Sequence, residues 1–177
     1  MEYMERTKTI SLDKSKVIIK LVAFVIFLSI AIVAPFIKIQ LITGSIVNAV
    51  LFISTATLGI GAGVLIGFLP SMISAFAGLL PIPLLPMIPY IIMGNAILVL
   101  TFGLLQKKKF LLGVISGSTL KFAFLFLTSS FIVSRFIEKP LPLVIINMMA
   151  WPQLITALIG GIIAYLILRI YEKKNIS

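Results

Sequence analysis

The 177-residue chain contains no cysteine and no histidine, and only five acidic side chains. The first absence removes disulfides, thiolate metal sites and thiol catalysis, and the second removes the usual imidazole acid–base chemistry. The acidic residues, Glu2, Glu5, Asp13, Glu138 and Glu172, all lie near the ends or in a loop, so no carboxylate falls inside a long apolar stretch. Carriers driven by proton or sodium gradients usually bury such carboxylates to hold the driving ion. No glycine-rich Walker segment is present either, so uphill transport would draw its energy from another protein. No metal, cofactor or enzymatic acid–base pair is called for by these residues. Charge of both signs is scarce: 11% of residues are charged, against roughly 25% in a soluble domain.

What is abundant is hydrocarbon. Hydrophobic residues make up 60% of the chain and the mean hydropathy is +1.23, which points to an all-α integral membrane protein. From 39 to 106 no residue is charged. As one helix that stretch would be about 100 Å long, against a hydrocarbon core of about 30 Å, so it must fold back. Breaks are expected at Thr43-Gly44, at "TLGIGAG" (Thr57 to Gly63) and at the proline run Pro81, Pro83, Pro86 and Pro89. The apolar segments are then 17–37, 43–58, 62–80, 88–106, 110–135 and 144–169. Six transmembrane helices are expected, with five and a half-helix as the alternative because 43–58 is short. Residues 1–16 would form a cytoplasmic N-terminal segment, 17–170 the transmembrane substrate-binding domain and 171–177 a cytoplasmic tail. No small-residue cleavage site follows the first apolar run, which reads as a retained helix rather than a signal peptide.

Orientation follows from Lys and Arg. Six crossings put Arg6, Lys8, Lys14, Lys16, Lys20, Lys107, Lys108, Lys109, Arg169, Lys173 and Lys174 on one side, and only Lys38, Arg135 and Lys139 on the other. Both termini are therefore expected to face the cytoplasm. The formal net charge of +10 is mostly this signal, with the Lys107–Lys109 run touching anionic lipid, and it does not call for nucleic acid. Seven prolines, Pro35, Pro81, Pro83, Pro86, Pro89, Pro140 and Pro142, then fall at the outer ends. Either they simply end helices or they form a stiff lid, with Pro81, Pro83 and Pro86 closing over a ligand at little cost in entropy.

One ionisable side chain lies deep in a span. Lys121, in "GSTLKFAFLF", is about 16 Å along a helix that starts at Phe110. A mid-membrane lysine either snorkels to a headgroup or faces a cavity and its ligand. Other polar groups gather toward the same outer side: Gln40, Thr43 and Asn48 near the start of the second helix, and Asn95 early in the fourth. Asn147, Trp151, Gln153 and Thr156 follow in the sixth, where Pro152 frees a backbone carbonyl. Each amide could merely bridge helices. Their convergence favours a wet pocket open to the outside, in which Trp151 stacks on a ring and Lys121 neutralises an anion. Small residues at Gly59, Gly63, Gly67, Ser71 and Ala75, and the pairs Ala157–Gly161 and Gly160–Ala164, mark faces for close helix packing or for a membrane partner.

The stretches "ITGSIVNAVLF", "IPYIIMGNAILVLTFGLL", "LKFAFLF" and "WPQLITALIGG" resemble the substrate-binding S components of energy-coupling factor (ECF) transporters, over nearly the whole chain. The resemblance implies a high-affinity prokaryotic scavenger for a vitamin or small-metabolite precursor. It also implies docking on a transmembrane coupling protein driven by two ATPase subunits, with toppling in the membrane to release the ligand. The family's binding sites would fall here on Asn95, Lys121, Asn147, Trp151 and Gln153, with the proline loop as lid. Many S components carry an Ala-x-x-x-Ala docking face in the first helix, a spacing that Ala23, Ala31 and Ala34 do not give. Two rival readings are a non-energised facilitator and a membrane scaffold. The first would need a continuous polar path, and the inner helix halves have almost no polar side chains. The second leaves Lys121 and the one-sided amides unexplained.

Overall fold

The computed structural model describes residues 2–76, 82–132 and 143–176. Among these the chain is helical with no strand. Helix α1 (Glu2–Val33) ends in a 3-10 turn over Ala34–Ile37, followed by α2 (Gln40–Leu58) and α3 (Ile60–Phe76). A second 3-10 turn, Ile82–Met87, leads into α4 (Ile88–Leu105), and α5 (Phe110–Leu127) continues as a π turn over Thr128–Ile132. The short α6 (Leu143–Met148) precedes α7 (Trp151–Ile176). Among the described residues five segments are long and apolar enough to cross a membrane: Lys14–Ile37, Gln40–Leu58, Leu84–Leu105, Phe110–Phe131 and Leu143–Lys173. A shorter apolar helix spans Ile60–Ile73.

Several boundaries differ from the sequence-based expectation, each for a local reason. The first break falls at Pro35 and Lys38, not at Thr43-Gly44. Pro35 tightens the end of α1 into the 3-10 turn, and Lys38 turns the chain with φ 58° while its N–H bonds the Pro35 carbonyl. Thr43 and Gly44 lie inside α2, so the second helix gains a turn and reaches 19 residues, about 28 Å. Among the helices expected to span, the third is the short one as described, at 17 residues, and it carries Pro70 in its interior. Gly59, at φ 98°, alone makes the turn between α2 and α3, a backbone state that glycine enters without steric cost. Helix α1 is already formed from Glu2, and its span long and apolar enough to cross a membrane starts at Lys14.

Helix α2 occupies the centre. From Asn48 to Thr55 every residue is buried, the signature of a helix enclosed on all sides. It packs most extensively on α7 and also meets α1, α3 and α4, while α4 lies along α5. Small residues set these approaches. A Cβ on Gly160 would sit 2.7 Å from the Ala49 amide nitrogen, and one on Gly117 would sit 3.0 Å from the Leu98 carbonyl oxygen. Gly63 faces Thr55 and Val99, and Gly67 faces Asn95, so much of the α3 stripe serves internal packing. At the end of the bundle away from the first 3-10 turn, edge-on aromatic rings fill the core. Phe52 meets Phe102 at 4.8 Å and Phe102 meets Phe110 at 5.1 Å. Outward faces stay apolar, as with Val17, Leu21 and Val25 on α1 and Leu104 on α4, which suits hydrocarbon rather than water.

Candidate functional site

The other end of the bundle holds a cavity of about 560 Å³. Its wall starts at the α1–α2 connection with Ala31, Pro35 and Lys38, and continues down α2 through Gln40, Thr43, Gly44, Val47 and Asn48. That spacing of three and four keeps one helical face turned to the cavity. On α4 the lining residues Ile88, Ile91 and Asn95 follow the same rule. Pro70 and Ser71 of α3, Leu84 of the second 3-10 turn, Met148, Met149 and Gln153 complete the wall with Lys121. Most of it is apolar, and among the described residues its two cations are Lys121 within and Lys38 at the exposed end.

Lys121 is 3% exposed. Its helix presents Val114, Gly117, Ser118, Lys121 and Leu125 to the interior, a stripe set by the close approach of Gly117 to α4. The Lys121 Nζ donates to Asn48 Oδ1 at 2.7 Å and to Asn95 Oδ1 at 2.8 Å. An ammonium can only donate, so both amides must turn their oxygens toward it. Their nitrogens then point away. Asn95 Nδ2 donates to the Gly67 carbonyl at 3.1 Å, and Asn48 Nδ2 to Thr156 Oγ1 at 3.4 Å. Thr156 in turn donates to the Gln153 carbonyl. One buried cation thus ties α2, α4 and α5 together, and its amides reach α3 and α7. A charge at this depth costs at least about 2.5 kcal/mol to insert. Two neutral amide dipoles solvate it, but no described acidic residue lines the cavity to cancel its charge.

A second cluster closes the α6–α7 joint. Pro152 has no N–H for the Met148 carbonyl four residues back. Gln40 Nε2 of α2 donates to that carbonyl at 2.8 Å, and Gln153 Nε2 donates to it at 3.2 Å. The proline therefore splits the expected 144–169 helix into α6 and α7, and the freed acceptor fastens α2 to the joint. Thr43 Oγ1 similarly holds the Ala34 carbonyl at 3.1 Å.

Of the residues expected to bind substrate, Gln40, Thr43, Asn48, Asn95, Lys121 and Gln153 come together around the cavity. Asn147 and Trp151 do not line it: both are exposed, and Trp151 stacks on Phe122 at 5.2 Å. Among the lid prolines, Pro81 lies outside the described residues, as does the side chain of Pro83. Pro86 is exposed, while its neighbour Leu84 is buried against the cavity. Lys38 has no part in the site expected from the sequence, and neither has Ser118, whose buried hydroxyl has no partner among the described residues, one turn before Lys121. Leu84, Ile88 and Ile91 were also missed, although counting back from Asn95 in helical steps of three and four arrives at them.

The family described as "ECF transporter, substrate-specific component" matches the chain over residues 19–171. The chain matches no curated protein and no solved structure.

Proposed function

The chain belongs to the substrate-specific components of ECF transporters, and on that premise we propose that the Lys121 cavity is where it captures its substrate from outside the cell. It is a multi-pass membrane protein, and its family works with a coupling protein and ATPase components. The observation that carries the reading is the buried ammonium of Lys121, held by two amide oxygens at the wall of a largely apolar cavity. A helix-bridging role alone would be served by an apolar or amide side chain without the cost of burying charge. Asn48 and Asn95 position Lys121, while Gln40, Thr43 and Gln153 supply polar contacts nearer the α6–α7 joint. The 3-10 segment Ile82–Met87, which carries Pro83 and Pro86, serves as the lid, a role supported by Leu84 at the cavity wall. The substrate class implied by the family resemblance is a vitamin or metabolite precursor.

Purification in mild detergent from native membranes should bring down a larger membrane subunit and ATPases, and acid extraction should release a small molecule. The purified single chain in liposomes should bind substrate but not accumulate it. Uptake driven by a proton or sodium gradient in that preparation would sink the reading.

The excess of Lys and Arg near the termini supports cytoplasmic ends, which puts the cavity on the outer side. A cysteine at Leu85, 41% exposed beside the buried Leu84, tests this in a chain with no cysteine of its own. It should react with an impermeant thiol reagent in intact cells. Labelling only after the cells are opened would reverse the topology.

A further inference from the structure

The hydrogen bonds around Lys121 also restrict what the cavity can hold. We propose that its ligand carries a carboxylate that seats on Lys121, attached to an apolar body that fills the rest of the cavity. This rests on the reading of the cavity as the substrate site and names the chemical class it selects.

An ammonium has three protons to give. Asn48 and Asn95 accept two, and no described protein atom accepts the third. Both asparagine nitrogens are committed elsewhere, to Thr156 and to the Gly67 carbonyl, so near Lys121 the amides offer a ligand oxygen lone pairs and no N–H. The surrounding backbone of α4 and α5 is mid-helix, with its N–H groups used within the helices. A cationic head group would be repelled by Lys121. A neutral one would leave the ammonium without a counter-charge. A phosphate brings about −1.5 to −2 charges and three strong acceptor oxygens, more than one ammonium proton can satisfy in an apolar cavity. A carboxylate brings one charge to match one. The exposed Lys38 at the cavity's end adds a positive field that draws anions toward the opening. Pro35, Val47, Ile88, Ile91 and Met149 make most of the remaining wall apolar, which fits a hydrocarbon or ring body, with Gln40, Thr43 and Gln153 left to meet a polar group at its other end.

The test is a head-group series on one body: phenylvalerate, phenylpentyl phosphate, phenylpentylamine and phenylpentanol, titrated calorimetrically against the whole protein in nanodiscs. Phenylvalerate should bind at least about tenfold more tightly than the other three, as expected for one charge-assisted hydrogen bond. In Lys121→Gln, which keeps amide donors for Asn48 and Asn95, the acid and the alcohol should bind alike. Equal or tighter binding of the phosphate, amine or alcohol to the wild-type protein overturns the carboxylate, and so does a carboxylate preference that survives Lys121→Gln. The wild-type comparison decides the matter even if the variant fails to fold. Co-purification of the ATPases is read separately. If they come down while the phosphate binds best, the transport reading stands and the carboxylate falls. If they do not, while phenylvalerate is preferred, the reverse holds.

Discussion

Lys121→Met is expected to weaken binding of the extracted native ligand by roughly 10- to 150-fold, the equivalent of a charge-assisted hydrogen bond of about 1.5–3 kcal/mol. Methionine keeps the length and the apolar stem and removes only the ammonium. The fold should survive, because two effects oppose each other. Loss of the ammonium leaves the Asn48 and Asn95 oxygens without their donor, at about 1–3 kcal/mol each. Against that, the variant no longer inserts a charge into the membrane, which costs at least about 2.5 kcal/mol. The unfolding midpoint of the ligand-free protein should therefore move far less than the affinity. Lys121→Arg should restore part of the affinity, since the charge returns on a broader, planar fork that cannot reach both amide oxygens in the same way. Equilibrium dialysis of the three proteins measures this. Unchanged affinity in Lys121→Met would reduce Lys121 to a helix tie and move recognition to Gln40, Thr43 and Gln153.

Those residues could be picked out of the sequence because polarity is rare within it. In a helix as uniformly apolar as α4 or α5, hydrophobic periodicity carries little information about which face looks inward. A lysine or an asparagine does, since in hydrocarbon it must find a partner. Lys121, Asn95 and Asn48 were therefore legible as residues that come together at one cavity, although not as each other's partners. That pairing depends on how α5 seats along α4 at Gly117, a contact that no single helix encodes. Asn147 and Trp151 stay off the cavity wall for a simpler reason. Trp151 and Gln153 lie in one helix, two residues and so about 200° apart around it. Gln153 turns to the cavity while Trp151 turns to Phe122, and Asn147 lies on the far side of the break at Met149 and Ala150. Pro152 was visible as the cause of a freed carbonyl. What could not be read was that Gln40 of α2, distant in sequence, would donate to that carbonyl.

The contact beneath Asn48 yields the second large effect. Gly160 of α7 lies against the backbone of α2, where an added Cβ would stand 2.7 Å from the Ala49 nitrogen and 2.8 Å from both the Ser45 oxygen and Asn48 Cβ. Two of these three neighbours are main-chain atoms inside a helix and cannot swing aside as a flexible side chain would. Gly160→Ala must push α2 and α7 apart, and overpacking of this kind costs about 1–3 kcal/mol. Separation also lengthens the bond from Asn48 Nδ2 to Thr156, already 3.4 Å, and shifts the amide oxygen that holds Lys121. Stability and affinity should therefore fall together, unlike in Lys121→Met, where affinity falls alone. Gly61→Ala is the control: an added Cβ there meets nothing within 4 Å, and alanine favours a helix by up to about 1 kcal/mol. Thermal unfolding in detergent should give a clearly lowered midpoint for Gly160→Ala and an equal or slightly raised one for Gly61→Ala. Equal midpoints for the wild-type protein and Gly160→Ala would mean that α2 and α7 are not pressed together at this glycine, and the geometry that positions Asn48 over Lys121 would have to be redrawn.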